Sequence, residues 1–180
     1  MVLRFRSSHL KVSRALANFG IGPLVSRWWS SDCEVSIVLV LANFGRAGDL
    51  RLPDGRRVDP GVKPTAEAGS CIVVIGTDIP IDHRQLGRVA RRAGVGLAWC
   101  GSFWGNGSGD IALAFTTANR VPHAAGQDLL AHRVLAEGRI DRLFQATAEA
   151  TQEAVLDALA GAATTEGRNG HRRVGLPEII

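Results

Sequence analysis

Three places in this 180-residue chain hold side chains that could do chemistry. The first is Gly69-Ser70, where a stretch rich in Gly, Asp, Arg and Pro runs into the apolar segment SCIVVIG at 70–76. A serine at such an entry is placed for release as an N-terminal nucleophile. Its hydroxyl would attack the Gly69 carbonyl, the acyl group would shift from N to O, and water would cleave the ester. The new chain end would carry a hydroxyl beside a free α-amine, which titrates near about 7.7–8.0 and can serve as a base at neutral pH. Glycine in front of it has no Cβ to hinder attack and tolerates unusual φ/ψ. Read alone, the same dipeptide more commonly means a strand-initiating serine after a glycine turn.

The second is GNGSGD at 105–110. Its glycines let backbone N–H groups approach a ligand or another strand closely. It lacks Gly-Lys-Ser/Thr and feeds a strand, not a helix, so it is neither a P-loop nor a dinucleotide loop. A tight turn is the plain alternative. Ser108 and Asp110 stand two apart and would share one side if the strand began there, making a polarised hydroxyl–carboxylate pair. The third is Asn43 in Ala42-Asn43-Phe44-Gly45, an amide at the end of an apolar run. Such an amide can donate to an oxyanion, although Asn-x-Gly after a strand is also ordinary turn chemistry.

The elements that must hold these residues follow from hydrophobic pattern. EVSIVLVLA at 34–42, SCIVVIG at 70–76 and Ile111–Thr116 read as strands. Residues 43–69, with Pro53, Pro60 and Pro64, have no period and read as a long exposed loop. Asp82 with Gln85 predicts a capped helix that runs through Ala93 and is ended by Gly94 and Gly96. A second helix is expected from about Asp141 to Ala160, with Leu143, Phe144, Ala148, Val155, Ala158 and Leu159 in its apolar stripe beside Thr147 and Thr151, stopped by Gly161. The tail 164–180 reads as loop. Alternating strands and helices give an α/β (α+β) layered domain.

Charge and composition narrow the classes. The net charge of +4 is uneven: residues 1–31 hold Arg4, Arg6, Lys11, Arg14 and Arg27 and no acid. This leader has no continuous apolar stretch for a secretory signal and fits a transit peptide loosely. It is taken as an unmatched basic leader, disordered or misassigned, with the domain at 32–180. The longest apolar runs fall short of a membrane-spanning helix. Arg84, Arg88, Arg91 and Arg92 share a helix face without interleaved aromatics, so a solvated face is expected and not a nucleic-acid site. His83, His123, His132 and His171 lack metal-ligand spacing. Three cysteines (Cys33, Cys71, Cys100) without a framework point to a reducing, cytoplasmic setting.

Taken in order, these motifs carry a resemblance. Asn43-Phe44-Gly45, Gly69-Ser70 with its Val/Ile strand and Thr77-Asp78, Gly105–Asp110, and Phe115-Thr116-Thr117-Ala118-Asn119 resemble the L-aminopeptidase/D-esterase and β-peptidyl aminopeptidase family. Ala148 with Gln152-Glu153-Ala154, then Gly167-Arg168, Gly170-His171 and Leu176-Pro177, is similar to its C-terminal helix and tail. The likeness covers roughly 34–178.

The resemblance implies a serine N-terminal-nucleophile hydrolase with an αββα sandwich, here incomplete at its N-terminus. It implies self-cleavage between Gly69 and Ser70, with 32–69 ending one subunit and 70–180 forming the other. Ser70 matches the nucleophile, Ser108 the serine that hydrogen-bonds it, Asp110 the acid behind that serine, and Asn43 the oxyanion donor. Short peptides, amides or esters are the implied substrates, with homo-oligomeric assembly and neither metal nor organic cofactor. Two departures stand out. Asp replaces the family's familiar Glu at 110, and a shift of about 1 Å can cost about a hundredfold in rate. The family's long upstream segment, with a tyrosine near the site, has no counterpart in this chain, which contains no Tyr. A catalytically inactive remnant is therefore the competing reading, with an apolar sheet face left in need of a partner.

Overall fold

The computed structural model describes residues 24–30, 33–61, 63, 66, 69–124 and 126–180. Strands β1 (Leu24–Ser30), β2 (Cys33–Asn43), β3 (Ser70–Thr77) and β4 (Ile111–Thr116) form one sheet in the order β1-β2-β3-β4. Strand β2 is antiparallel to both β1 and β3, and β4 runs parallel to β3. A parallel pair needs a crossover, which helix α1 (His83–Trp99) supplies. Helix α2 (Ile140–Ala160) packs beside α1 and across β1 and β2.

Alternation along each strand decides which side the helices cover. Val38, Val40, Cys71, Val73 and Ile75 are buried with Val89, Ala93 and Leu97 of α1 and Leu143, Ala150 and Ala154 of α2. Each such Val or Leu contributes about 1.5–3 kcal/mol by leaving water. The opposite face, with Leu41, Ile72, Ile111, Leu113 and Phe115, stays exposed. The described residues thus form one β layer and one α layer, half of the αββα order that the resemblance implies.

Several expectations needed correction. Leu24–Ser30, within the basic leader, pairs with β2 as an edge strand, while residues 1–23 lie outside the described residues. Helix α1 does not stop at Gly94 or Gly96. Its capping box forms as expected, with the Gln85 N–H donating to Asp82 Oδ1 at 2.7 Å. Inside the helix, Gly94 admits the Trp104 ring, and a Cβ at Gly96 would overlap the Ala148 carbonyl oxygen of α2. These glycines serve close packing, not termination. The end comes at Gly101 (φ +101), where Gly101 N–H donates to Ala98 O and Ser102 N–H to Leu97 O, the paired bonds of a Schellman motif.

Arg84, Arg88 and Arg92 are engaged on this scaffold. Arg84 and Arg88 both pair with Glu137, while Arg88 and Arg92 stack on the Phe144 ring, Arg92 at 4.0 Å from its centroid. In α2, the buried Thr147 and Thr151 hydroxyls donate to Leu143 O and Thr147 O at 2.7 Å, so neither leaves an unpaired donor. The tail is more ordered than expected: Thr165–Glu166 pairs with Arg172–Arg173, and Leu176 is buried. Two-residue strands are too short to show a period in sequence.

Candidate active site

Asn43 closes β2, Ser70 opens β3, and the register sets them directly opposite each other. Opposed residues share a face. Here it is the open face, since Cys71 beside Ser70 turns toward the helices and is buried. Gly45, at φ +87, then turns the chain away from the sheet, a conformation that suits glycine. Gly69 is demanded by crowding. A Cβ there would overlap the Asn43 carbonyl oxygen and stand 3.0 Å from Phe44 Cα.

The hydroxyl of Ser70 donates to the carbonyl oxygen of Gly69 at 2.8 Å. The N–H of Gly109 donates to the same oxygen at 3.4 Å, and a Cβ on Gly109 would lie 3.4 Å from Ser70 Oγ. The 105–110 loop is therefore laid against the Gly69–Ser70 peptide. Within that loop, the Ser108 N–H donates to Gly105 O and the Ser108 hydroxyl to Asp110 Oδ1 at 2.8 Å. Because β4 begins at Ile111, a turn brings this pair together and not a strand pleat. The donated bonds run from Ser70 to Gly69 and from Ser108 to Asp110, whereas the resemblance implies one joining the two serines.

Electrostatics next to the nucleophile candidate are set by Cys71. Burial, then the nearby Asp110 carboxylate and Cys100, push its thiol up to about 12. Burial likewise pushes Cys100 up to about 11. Both stay protonated near neutral pH and so compete poorly as nucleophiles. A cavity of about 370 Å³ lies on the helix side, between the Asn43–Leu50 segment and the C-terminal part of α2. Of the candidate residues it is lined by Asn43 and not by Ser70, Ser108 or Asp110. The geometry of the reacting groups, not this cavity, locates the candidate site.

Asn43, Gly69, Ser70, Ser108 and Asp110 are the residues the sequence singles out. The structure places them at one end of the sheet, with two neighbours that the sequence reading does not include. Gly109 stands among similar glycines, and the sequence marks Cys71 only as one of three cysteines without a framework. Asn119 belongs elsewhere: its side chain holds Ile81 O and both backbone groups of Arg133, beyond the far end of β3 and β4. The four histidines singled out from the sequence are exposed.

The model of Peptidase family S58 matches residues 20–173. The chain belongs to this family. The match takes in residues 20–31 of the segment that the motifs alone left unassigned. The chain is 38% identical over 160 residues to beta-peptidyl aminopeptidase BapA of Sphingosinicella microcystinivorans, covering 78% of this chain and 40% of that protein. Among solved structures, the PH0078 protein from Pyrococcus horikoshii OT3 superposes with a TM-score of 0.74 at 40% identity, over 88% of this chain and 44% of that one. The L-aminopeptidase D-Ala-esterase/amidase of Ochrobactrum anthropi, described as a serine aminopeptidase with a variant Ntn hydrolase fold, gives a TM-score of 0.68 at 29% identity, over 86% and 44%. This S58 chain thus has the layered α/β architecture of Ntn-type hydrolases, and it spans about two-fifths of the curated relatives' length.

Proposed function

We propose that this S58 chain carries the nucleophile and the self-cleavage site of a serine aminopeptidase or amidase. Its substrates would be short peptides, amides or esters, from which it releases N-terminal residues. The observation that carries this reading is the Ser70 hydroxyl at 2.8 Å from the Gly69 carbonyl oxygen, with the Gly109 N–H aimed at the same oxygen. In self-cleavage, Ser70 Oγ bonds to the Gly69 carbonyl carbon and the C–N bond breaks. The hydroxyl proton ends on the Ser70 nitrogen. Water then hydrolyses the ester, leaving a Gly69 carboxylate and a free Ser70 amine.

In turnover, that amine takes the Ser70 hydroxyl proton as Oγ attacks the substrate carbonyl. It returns the proton to the departing amine, and water releases the acyl group. Asn43, opposite Ser70, is assigned as the oxyanion donor. Ser108 and Asp110 are assigned to orient the nucleophile. The step uses hydroxyl, amine, amide and water. A reducing, cytoplasmic setting belongs to the same proposal, from three cysteines without a disulfide or metal spacing in the sequence.

Incubation of the purified chain at neutral pH tests the reading. Mass spectrometry should find two pieces, and N-terminal sequencing of the larger should begin at Ser70. Ser70→Ala should stop both cleavage and turnover, and amidase activity surviving in that variant would sink the assignment. The open sheet face favours a second reading, an inactive remnant of the family. A chain that stays intact after prolonged incubation supports that one.

A further inference from the structure

The path from α1 to β4 carries glycine at 101, 105, 107 and 109. Glycine loses more conformational freedom on ordering than any other residue, so such a stretch keeps one place only where something holds it. Its start is fixed by backbone. Arg51 N–H donates to Cys100 O, Ser102 N–H donates to Leu97 O, and a Cβ at Gly101 would overlap Asp49 O. Its end enters β4 at Ile111. Between these points Phe103 and Asn106 are exposed, and Trp104 turns its ring back onto the helix. The φ of Trp104 is +54, in the left-handed region that a bulky side chain seldom enters. Strain of that kind persists where the surroundings over-determine it, and it gathers at active sites. The holding contact is at Gly94. The benzo ring of the Trp104 indole fills the space there, where a Cβ would fall 2.6 Å from Cζ2 and 2.8 Å from Cη2. The Trp104 N–H donates to the hydroxyl oxygen of the buried Ser102 at 3.3 Å.

We propose that Trp104, docked in the notch at Gly94, is a positioning residue that holds the 105–110 loop against the Gly69–Ser70 peptide. Trp104 directly precedes Gly105, whose carbonyl oxygen accepts the Ser108 N–H. That turn sets the Ser108 hydroxyl 2.8 Å from Asp110 Oδ1 and carries the Gly109 N–H to Gly69 O at 3.4 Å. The second contact is already long, so a retreat of the loop by about 1 Å would break it. Displacement of that size can cost about a hundredfold in rate. The seat lies on α1, so Trp104 acts through the loop backbone and takes no part in the bond changes. The consequence for rate rests on the proposed serine chemistry; the anchoring of the loop does not.

Two variants take the anchor away. Trp104→Asn removes the ring but keeps a residue that tolerates positive φ. Gly94→Leu fills the notch with a strong helix former and evicts the ring. The first readout is amide hydrogen exchange, followed by nuclear magnetic resonance in the whole chain carrying Ser70→Ala, so that it needs no activity. In both variants the Ser108 and Gly109 amides should exchange at least about tenfold faster, while those of α1 and β3 keep their rates. Unchanged loop rates overturn the proposal. So does faster exchange throughout, which would mean that Trp104 supports the fold as a whole. The second readout is self-cleavage with Ser70 in place, which should slow by about ten- to a hundredfold in each variant. Gly94→Leu added to Trp104→Asn should slow it no further, because the seat is already empty; an additive loss overturns the coupling and the proposal with it. An unsubstituted chain that never cleaves itself counts against the serine chemistry alone, and the exchange rates then decide the anchoring. Should neither variant fold, a nuclear Overhauser contact between the Trp104 ring and the Gly94 Hα protons of the unsubstituted chain upholds the docking, and its absence overturns it.

Discussion

The Gly109 N–H and the Ser70 hydroxyl converge on one acceptor, the carbonyl oxygen of Gly69. Attack on that carbonyl moves negative charge onto the oxygen. Ser70 Oγ becomes the attacking atom and gives up its proton, so the Gly109 N–H is the donor of the two that still faces the oxygen. The N–H contact is long at 3.4 Å, and such bonds often tighten as charge develops.

Gly109→Pro removes this N–H, and Gly109→Ala keeps it while adding a methyl 3.4 Å from Ser70 Oγ, an ordinary contact. One oxyanion donor is worth about 10²–10³ in rate. The Pro variant should therefore cleave itself about a hundredfold more slowly, and the Ala variant within about tenfold of wild type. Time-resolved mass spectrometry of the fragments distinguishes them. Equal rates for both variants would remove Gly109 from the mechanism.

Asp110→Glu is expected to slow turnover, although Glu is the family's familiar residue there. In this chain the Ser108–Gly105 turn sets the hydroxyl 2.8 Å from the shorter carboxylate. One added methylene displaces the oxygens by about 1 Å, a shift that can cost about a hundredfold. Amidase kinetics on the cleaved protein measure it. Unchanged kcat would mean that the loop absorbs the longer side chain.

The strands, the capped start of α1 and the end of α2 at Gly161 were legible because each rests on local chemistry: continuous β-branched runs, Asp82 with Gln85, and a glycine past the last apolar turn. What sequence could not show were contacts made by backbone across the fold. Gly69 and Gly96 are glycines because carbonyl oxygens of Asn43 and Ala148 press on them, and no local pattern encodes a neighbour far along the chain. The solvated arginine face of α1 holds for Arg84 and Arg91, while the packing of Arg88 and Arg92 was hidden for the same reason. Their partners, Glu137 and Phe144, lie some fifty residues downstream. The candidate site was legible as residue types in order, and its geometry depended on the register that joins Asn43 to Ser70.

Two glycines of α1 should respond oppositely to alanine. Nothing lies within 4 Å of a Cβ at Gly87, so Gly87→Ala should stabilise the chain by up to about 1 kcal/mol through helix propensity. At Gly96 the new methyl would overlap Ala148 O and come within 2.7 Å of Thr151 Cβ. Overpacking of this kind costs about 1–3 kcal/mol, which exceeds the propensity gain. Chemical denaturation should show the midpoint rising for the first variant and falling for the second. A gain in both would mean that α1 and α2 are less closely packed than the contacts at Gly96 require.

Glu137 links stability to acid. Hydrogen bonds from Arg84, Arg88 and Gln85 hold its carboxyl down at about 2, below the ordinary 4.5. A depressed carboxylate contributes stability above its unfolded value and loses it as pH falls through the folded one, here between about 4.5 and 2. The group is exposed, so the contribution is small and weakens with salt. Glu137→Gln should therefore lower the Tm slightly at neutral pH and low salt, and the difference from wild type should shrink both on acidification through that window and on adding salt. The Gln85 side chain also donates to Leu135 O at 2.8 Å, so the 119–136 segment stays tied to α1 in the variant. A Tm difference that is constant with pH would show that the arginines stabilise this segment by packing on Phe144 and not through the Glu137 carboxylate.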